Sequence, residues 1–192
     1  LFRIIGEIVD ESGVQELIGR LQGKDVAARL HIVNILAKFN RPDVARALQT
    51  QLSDPNKLVR AASLNSLAKM DGPFEIAPLC AMLRDPEIEV QNRAVEVLIR
   101  ARDPETIRHL VPVLKDESEN ARRAAVEVLN EVGDARSVKF LLEAIKDDDW
   151  WVRSRAADAL GKIGGPKVIN AALALVSDRD DEVRRTAIEI LN

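Results

Sequence analysis

The chain has 192 residues, of which 46% are hydrophobic, 31% charged and 3% aromatic, with no Tyr. That apolar fraction excludes a disordered tail, and the scarcity of rings disfavours base-stacking sites and most cofactor pockets. Lys and Arg total 28 against 31 Asp and Glu, and the resulting net charge of −3 argues against a nucleic-acid surface. One cysteine, Cys80, precludes an internal disulfide and fits a reducing compartment, so a cytoplasmic location is expected. No apolar run reaches the roughly 18 residues of a membrane span. The opening Leu1-Phe2-Arg3-Ile4-Ile5 does not read as a signal peptide, because no basic region precedes a cleavage site.

The dipeptides Ala28-Arg29, Val59-Arg60, Val90-Gln91, Ala121-Arg122, Val152-Arg153 and Val183-Arg184 follow one another at a strict interval of 31 residues. Leu36, Leu67, Leu98, Leu129, Leu160 and Leu191 keep the same interval, as do Ile32, Ser63, Ala94, Ala125, Ala156 and Ala187. So do Gly23, Asp54, Asp85, Asp116, Asp147 and Asp178. A fixed period of this length is the mark of stacked repeats that bury a continuous core. The repeats read as 1–9 (partial), 10–40, 41–71, 72–102, 103–133, 134–164 and 165–192, together one domain.

Taken along the chain, each repeat predicts two helices. The first helix opens at Pro42, Pro73, Pro104 or Pro166, where a missing N–H costs nothing. Asp103 and Asp134 stand ready to cap it. Its apolar residues recur at helical spacing, as in Ile76, Leu79 and Leu83, then Ile107, Leu110 and Leu114, then Val138, Leu141 and Ile145. The second helix starts after Asp25, Asn56, Glu87, Ser118, Asp149 and Asp180, five of which are good N-caps. It ends near Asn40, Asp71, Arg102, Gly133 and Gly164, where Gly and Asn suit a left-handed cap and Arg102 does not. Short connections make neighbouring helices antiparallel. The expected fold is all-α, a right-handed α-solenoid of antiparallel helical hairpins.

The pattern D-x4-V-R-x3-A-x3-L-x3-G, filled by Asp147, Val152, Arg153, Ala156 or Ala157, Leu160 and Gly164, resembles the short HEAT-like repeat of the phycobilin-lyase type. The resemblance spans nearly the whole chain. It implies an α-solenoid whose second helices line the concave side. It also implies a ladder in which Asp54, Asp85, Asp116, Asp147 and Asp178 bond Arg29, Arg60, Arg122, Arg153 and Arg184, with interruptions at Gly23 and Gln91. No lyase chemistry follows from it. A HEAT-like group that hydroxylates a modified lysine uses iron-binding His-Glu pairs, but here neither His31 nor His109 precedes a Glu. Another group removes alkylated bases from DNA along a basic groove.

On a helical wheel the exposed side of the second helices reads Ala27, Leu30, Asn34 and Lys38, then Leu58, Ala61, Asn65 and Lys69. It continues with Glu89, Asn92, Glu96 and Arg100, then Asn120, Arg123, Glu127 and Glu131, then Trp151, Ser154, Asp158 and Lys162, and last Glu182, Arg185 and Glu189. The last four repeats place seven carboxylates and four cations there, which repels a phosphate backbone. A face of this mixed kind suits a protein or peptide partner. The candidate contacts are Asn92, Glu96, Arg123, Glu127, Asp158 and Lys162, with Trp150 and Trp151. Trp151 is expected to be the rim anchor and Trp150 to pack on the neighbouring repeat.

Asp147-Asp148-Asp149 reads as a motif residue and a helix cap, not a cation loop, and Cys80 as a small buried hydrophobe. No phosphate cradle, zinc spacing or catalytic triad is present, so neither cofactor nor metal is expected. The expected function is a non-catalytic protein-interaction scaffold. A regulatory or chaperone-like arm of a kinase- or lyase-associated protein is the alternative, and nucleic-acid binding ranks last. The apolar starts and stops (Leu1, Phe2, Ile4, Ile5, Ile8 and Val9; Ile188, Ile190 and Leu191) read as the cut ends of a longer array that associate with other copies.

Overall fold

A computed structural model describes residues 13–70 and 75–191, Lys167 by its backbone alone. Pro73, the Asp71 cap and the partial repeat 1–9 lie outside the described residues. Among those described, every regular element is helical. The hairpins are α1 (Val14–Arg20) with α2 (Val26–Leu36), α3 (Pro42–Thr50) with α4 (Lys57–Leu67), and α5 (Ile76–Ala81) with α6 (Ile88–Ala101). They continue with α7 (Thr106–Leu110) and α8 (Glu119–Val132), α9 (Val138–Ala144) and α10 (Trp150–Ile163), and α11 (Pro166–Leu175) and α12 (Asp181–Leu191). The chain divides into two compact units, Leu1–Ala101 and Arg102–Asn192.

Caps explain where the second helices begin. The side chain of Asp25 accepts from Ala27 N, that of Asn56 from Leu58 N, that of Ser118 from Ala121 N, and that of Asp149 from Val152 N. Asp180 accepts from Glu182 N at 3.0 Å. Their ends depart from expectation in three places. In α2 the regular helix stops short of Asn40, because the chain tightens to three-residue bonds such as Phe39 N to Leu36 O. Gly133 is extended (φ −66°), not left-handed, and a Cβ there would meet Leu129 O at 2.3 Å. Arg102 instead takes the left-handed conformation, at φ +47°. Among the described residues Arg102 is the one non-glycine that pays the left-handed steric cost. Gly164, at φ +74°, behaves as its residue type suggests.

The repeating positions are the core. Val59, Val90, Ala121, Val152 and Val183 are buried, as are Leu36, Leu67, Leu98, Leu129 and Leu160. Ser63, Ala94, Ala125, Ala156 and Ala187 are fully buried at a register that is small in every repeat after Ile32, and Ser63 settles its hydroxyl on Val59 O at 2.8 Å. Small side chains there let successive second helices approach closely: α2 packs on α4 and α4 on α6 in the first unit, α8 on α10 and α10 on α12 in the second. In the last hairpin Ile169, Leu173, Ile188 and Leu191 are exposed.

Within each unit the ladder runs from one repeat to the next. Arg29 donates through Nε and Nη2 to Asp54 at 2.6 and 3.0 Å, and Arg60 does the same to Asp85 at 2.6 and 2.8 Å. In the second unit Arg122 reaches Asp147 at 2.8 and 3.0 Å, and Arg153 reaches Asp178 at 3.1 and 3.0 Å. Each Nη1 turns back to the carbonyl at the Asp register of its own repeat: Gly23, Asp54, Asp116, Asp147 and, for Arg184, Asp178. Gly23 therefore keeps its part, since only its carbonyl is used. Gln91 holds the Asp85 carbonyl at 2.7 Å. Arg184 forms an ion pair with Asp181. Burial pulls the Asp54 carboxyl upward, but the Arg29 bonds and the Asn56 N–H outweigh it and hold it below the usual range. Asp178 sits low by the same balance, with the Asp180 N–H and Arg153 against burial.

Candidate functional site

In the second unit the exposed face of α8, α10 and α12 is built from residues next to the ladder registers. One residue's rotation along the helix separates Arg122, which enters the ladder, from Arg123, which does not. Arg123 is half-buried and donates to Asp149 at 3.1 and 2.5 Å. Asp149 is drawn well below the usual carboxylate range, first by that bond, against burial and with help from the Val152 N–H. A cap of α10 is thereby tied to the preceding repeat.

Next along the face, Glu127 of α8 and Asp158 of α10 converge on Arg155. Its Nε lies 3.0 Å from Glu127 Oε2 and its Nη1 3.3 Å from Asp158 Oδ2. The guanidinium carbon is 5.2 Å from the centroid of the Trp151 ring. Beyond them Lys162 meets Glu131 at 3.0 Å, Ser154 faces Thr186 at 3.4 Å, and Arg185 pairs with Glu182 at 2.7 Å. Most charges of this face are thus matched within it. Asn92 and Glu96 lie exposed on α6 of the first unit, Glu96 paired with Arg93 at 3.1 Å.

The two tryptophans exchange the expected environments. Trp150 is 43% exposed and lines an open groove with Glu119, Arg122, Asp148, Arg179 and Asp180. Trp151 is half-buried under Arg155. The wheel puts Trp151 on the open face but takes no account of an arginine one turn on, which covers the ring. The repeat pattern does not single out Arg155. Its spacing, four after Trp151 and three before Asp158, carries the signal for both contacts. Its contact with Glu127 follows only once adjacent repeats are stacked.

Cys80 is 2% exposed, and burial pushes its thiol up to about 12, which suits packing and not nucleophilic chemistry. His31 is exposed on α2, and His109, on α7, accepts from Arg108 at 3.2 Å. Among the described residues no group of His, Cys, Asp and Glu is arranged to hold a metal, and no helix is long and apolar enough to cross a membrane.

The sequence matches the HEAT-repeat family over residues 14–99, 76–149 and 107–192. The chain is a HEAT-repeat protein. Its α-solenoid class is shared with solved structures of low identity. The Escherichia coli protein YibA is similar with a TM-score of 0.60 at 20% identity, covering 99% of this chain and 72% of that one. The complex of CpcE and CpcF of phycocyanin lyase from Nostoc is similar at 0.57 and 18%, covering 95% and 77%. A designed armadillo repeat protein in complex with the peptide (KR)4 is similar at 0.54 and 18%, covering 93% and 99%. Comparison with curated protein sequences returns no match. HEAT and armadillo arrays are typical protein-interaction scaffolds.

Proposed function

We propose that this HEAT-repeat protein is a non-catalytic scaffold that binds a protein or peptide segment on the exposed face of its second helices. The observation that carries the reading is the composition of that face in the second unit. It combines a 43% exposed tryptophan with polar groups whose charges are matched by short pairs, the mixture of aromatic anchor and polar rim that suits protein association. Trp150 takes the role of anchor that the sequence reading gave to Trp151. The designed armadillo protein with its bound peptide supports the reading as a precedent for the fold. The buried, unpaired Cys80 fits the reducing cytoplasm as the site of action.

The test is selection of ligands from a displayed random-peptide library, followed by titration against single variants. Trp150→Ala and Glu131→Ala should weaken selected peptides, Trp150→Ala by about 1–2 kcal/mol, with no change in melting temperature. Ligands that bind equally well to both variants would move the site off this face and refute the proposal.

A further inference from the structure

Arg155 occupies a place that the fold does not reserve for an arginine. The same register holds His31, Ala62, Arg93, Ala124 and Thr186 in the other repeats, so packing is satisfied by alanine. In α10 the arginine lies 5.2 Å from the Trp151 ring centroid and between two carboxylates contributed by different helices. A planar cation against an indole and flanked by carboxylates is the chemistry by which a protein recognises the arginine of another molecule. Here the ligand is internal.

The internal ligand fits imperfectly. Glu127 Oε2 is buried and lies 3.0 Å from Arg155 Nε, yet it receives no hydrogen bond of good geometry. An acceptor site therefore stays open to a better-aligned donor. The other charges around the clamp are engaged elsewhere: Arg123 with Asp149 at 2.5 Å, Lys162 with Glu131 at 3.0 Å and Arg185 with Glu182 at 2.7 Å. Two carboxylates against one guanidinium leave the clamp one negative charge in excess. Arg155 and Asp158 have side chains 37% and 46% exposed, so the clamp opens to solvent. Glu189, exposed on α12, continues the register of Glu127 and Asp158, which gives the face one carboxylate per repeat.

We infer that Trp151, Glu127 and Asp158 form a guanidinium clamp for an arginine of an extended basic segment of a partner protein, and that Arg155 fills the clamp in the free protein as a tethered competitor. The inference deepens the scaffold reading and rests on it. An incoming arginine exchanges one for one with Arg155, which is held at high effective concentration by its own helix, so the wild-type protein binds a single arginine weakly at this point. A segment whose further cations meet Glu189 gains the advantage that a single side chain lacks.

Calorimetric titration with a short, blocked peptide of alternating alanine and arginine tests this, with the alanine–lysine peptide of equal length beside it. Arg155→Ala and the bulkier Arg155→Gln should each bind the arginine peptide about ten-fold tighter than wild type. The gain should be smaller for the lysine peptide, since an ammonium has no planar face to lay on the ring. Adding Trp151→Ala or Glu127→Gln to Arg155→Ala should abolish it. Arg93→Ala removes the same charge at the equivalent register of α6, beside Glu96 and with no ring, and should change affinity less than about two-fold. Melting curves confirm that each variant is folded, and Arg155→Gln stands in if Arg155→Ala is not. Unchanged or weaker binding by the Arg155 variants, or an equal gain in Arg93→Ala, would overturn the clamp. Library-selected ligands that lack basic residues and bind wild type and Arg155→Ala alike overturn the clamp while leaving the scaffold reading intact. Ligands that ignore the second-helix face altogether overturn that reading instead.

Discussion

Removing Asp147 should test the ladder most directly, because its partner's remaining contacts are known. Asp147 accepts Arg122 Nε at 2.8 Å, Arg122 Nη2 at 3.0 Å and its neighbour Asp149 N at 2.8 Å. Asp147→Ala deletes all three and leaves the guanidinium, on a side chain 16% exposed, with the carbonyls of Asp116 and Glu117 at 2.9 and 3.2 Å. Stranding a fully buried charge costs about 3–5 kcal/mol. The residual exposure of Arg122 admits water, so about 2–4 kcal/mol is expected. Arg122→Gln should cost less, because Gln91 shows that a carboxamide at this register still reaches its carbonyl, at 2.7 Å. The double variant should be less destabilised than the sum of the singles by about 1–3 kcal/mol. Both tryptophans lie in the second unit, so their fluorescence in urea reads this unit while circular dichroism reads the whole chain. A loss under about 1 kcal/mol for Asp147→Ala, or strict additivity in the double variant, would show that the ladder is ornamental at this step.

Gly133→Ala should destabilise by about 1–3 kcal/mol, since the new Cβ would stand 2.3 Å from Leu129 O and 2.9 Å from Ser137 Oγ, and thermal melts would show it. Arg102→Asn should raise the melting temperature, gaining about 0.5–1 kcal/mol by relieving a left-handed arginine at φ +47°. The carboxyls of Asp54, Asp149 and Asp178 sit below their usual range in the folded chain. The stability they provide is complete above the unfolded carboxylate pKa of about 3.9 and is lost as pH falls through their lower folded values, so urea midpoints should hold from neutral pH to about pH 5 and then drop. Cys80 should resist a thiol reagent in the native protein and react on unfolding, in keeping with a thiol raised to about 12 and 2% exposed.

The parts of the fold that repeat were the parts legible in the sequence. Val152, Ala156 and Leu160 announce a buried stripe because five other repeats carry the same spacing, and Asp149 announces a cap because its chemistry is local. What was misread belongs to single positions. Arg102 was set aside as a left-handed cap on its residue type, yet it adopts that conformation; Gly133 was accepted on its residue type, yet it serves close packing against Leu129 O. Residue propensity is a weak prior at a helix end, where the path of the next loop decides. The exposures of Trp150 and Trp151 depart from the wheel because a wheel describes one helix alone, and the ring of Trp151 is covered by a side chain that the wheel assigns to neither face.

That same separation of roles explains how one array can keep its fold while its surface varies. Consecutive residues on a helix point about 100° apart, so Arg122 belongs to the ladder and Arg123 to the face, as do Arg184 and Arg185. The ladder residue is constrained from two sides, by an Asp in the next repeat and by a carbonyl in its own. Its neighbour is constrained by pairs such as Arg123 with Asp149, in which one partner is 36% exposed and the contact crosses between repeats. The register of Asn34, Asn65, Glu96, Glu127, Asp158 and Glu189 changes from amide to carboxylate along the chain while the position two residues on is Leu in every repeat. If the proposed scaffold role holds, replacing Glu127 or Asp158 should alter what the face attracts at small cost in stability, whereas replacing Asp147 or Arg153 should alter stability first. In the proposed scaffold, specificity resides in residues that the repeat pattern leaves free.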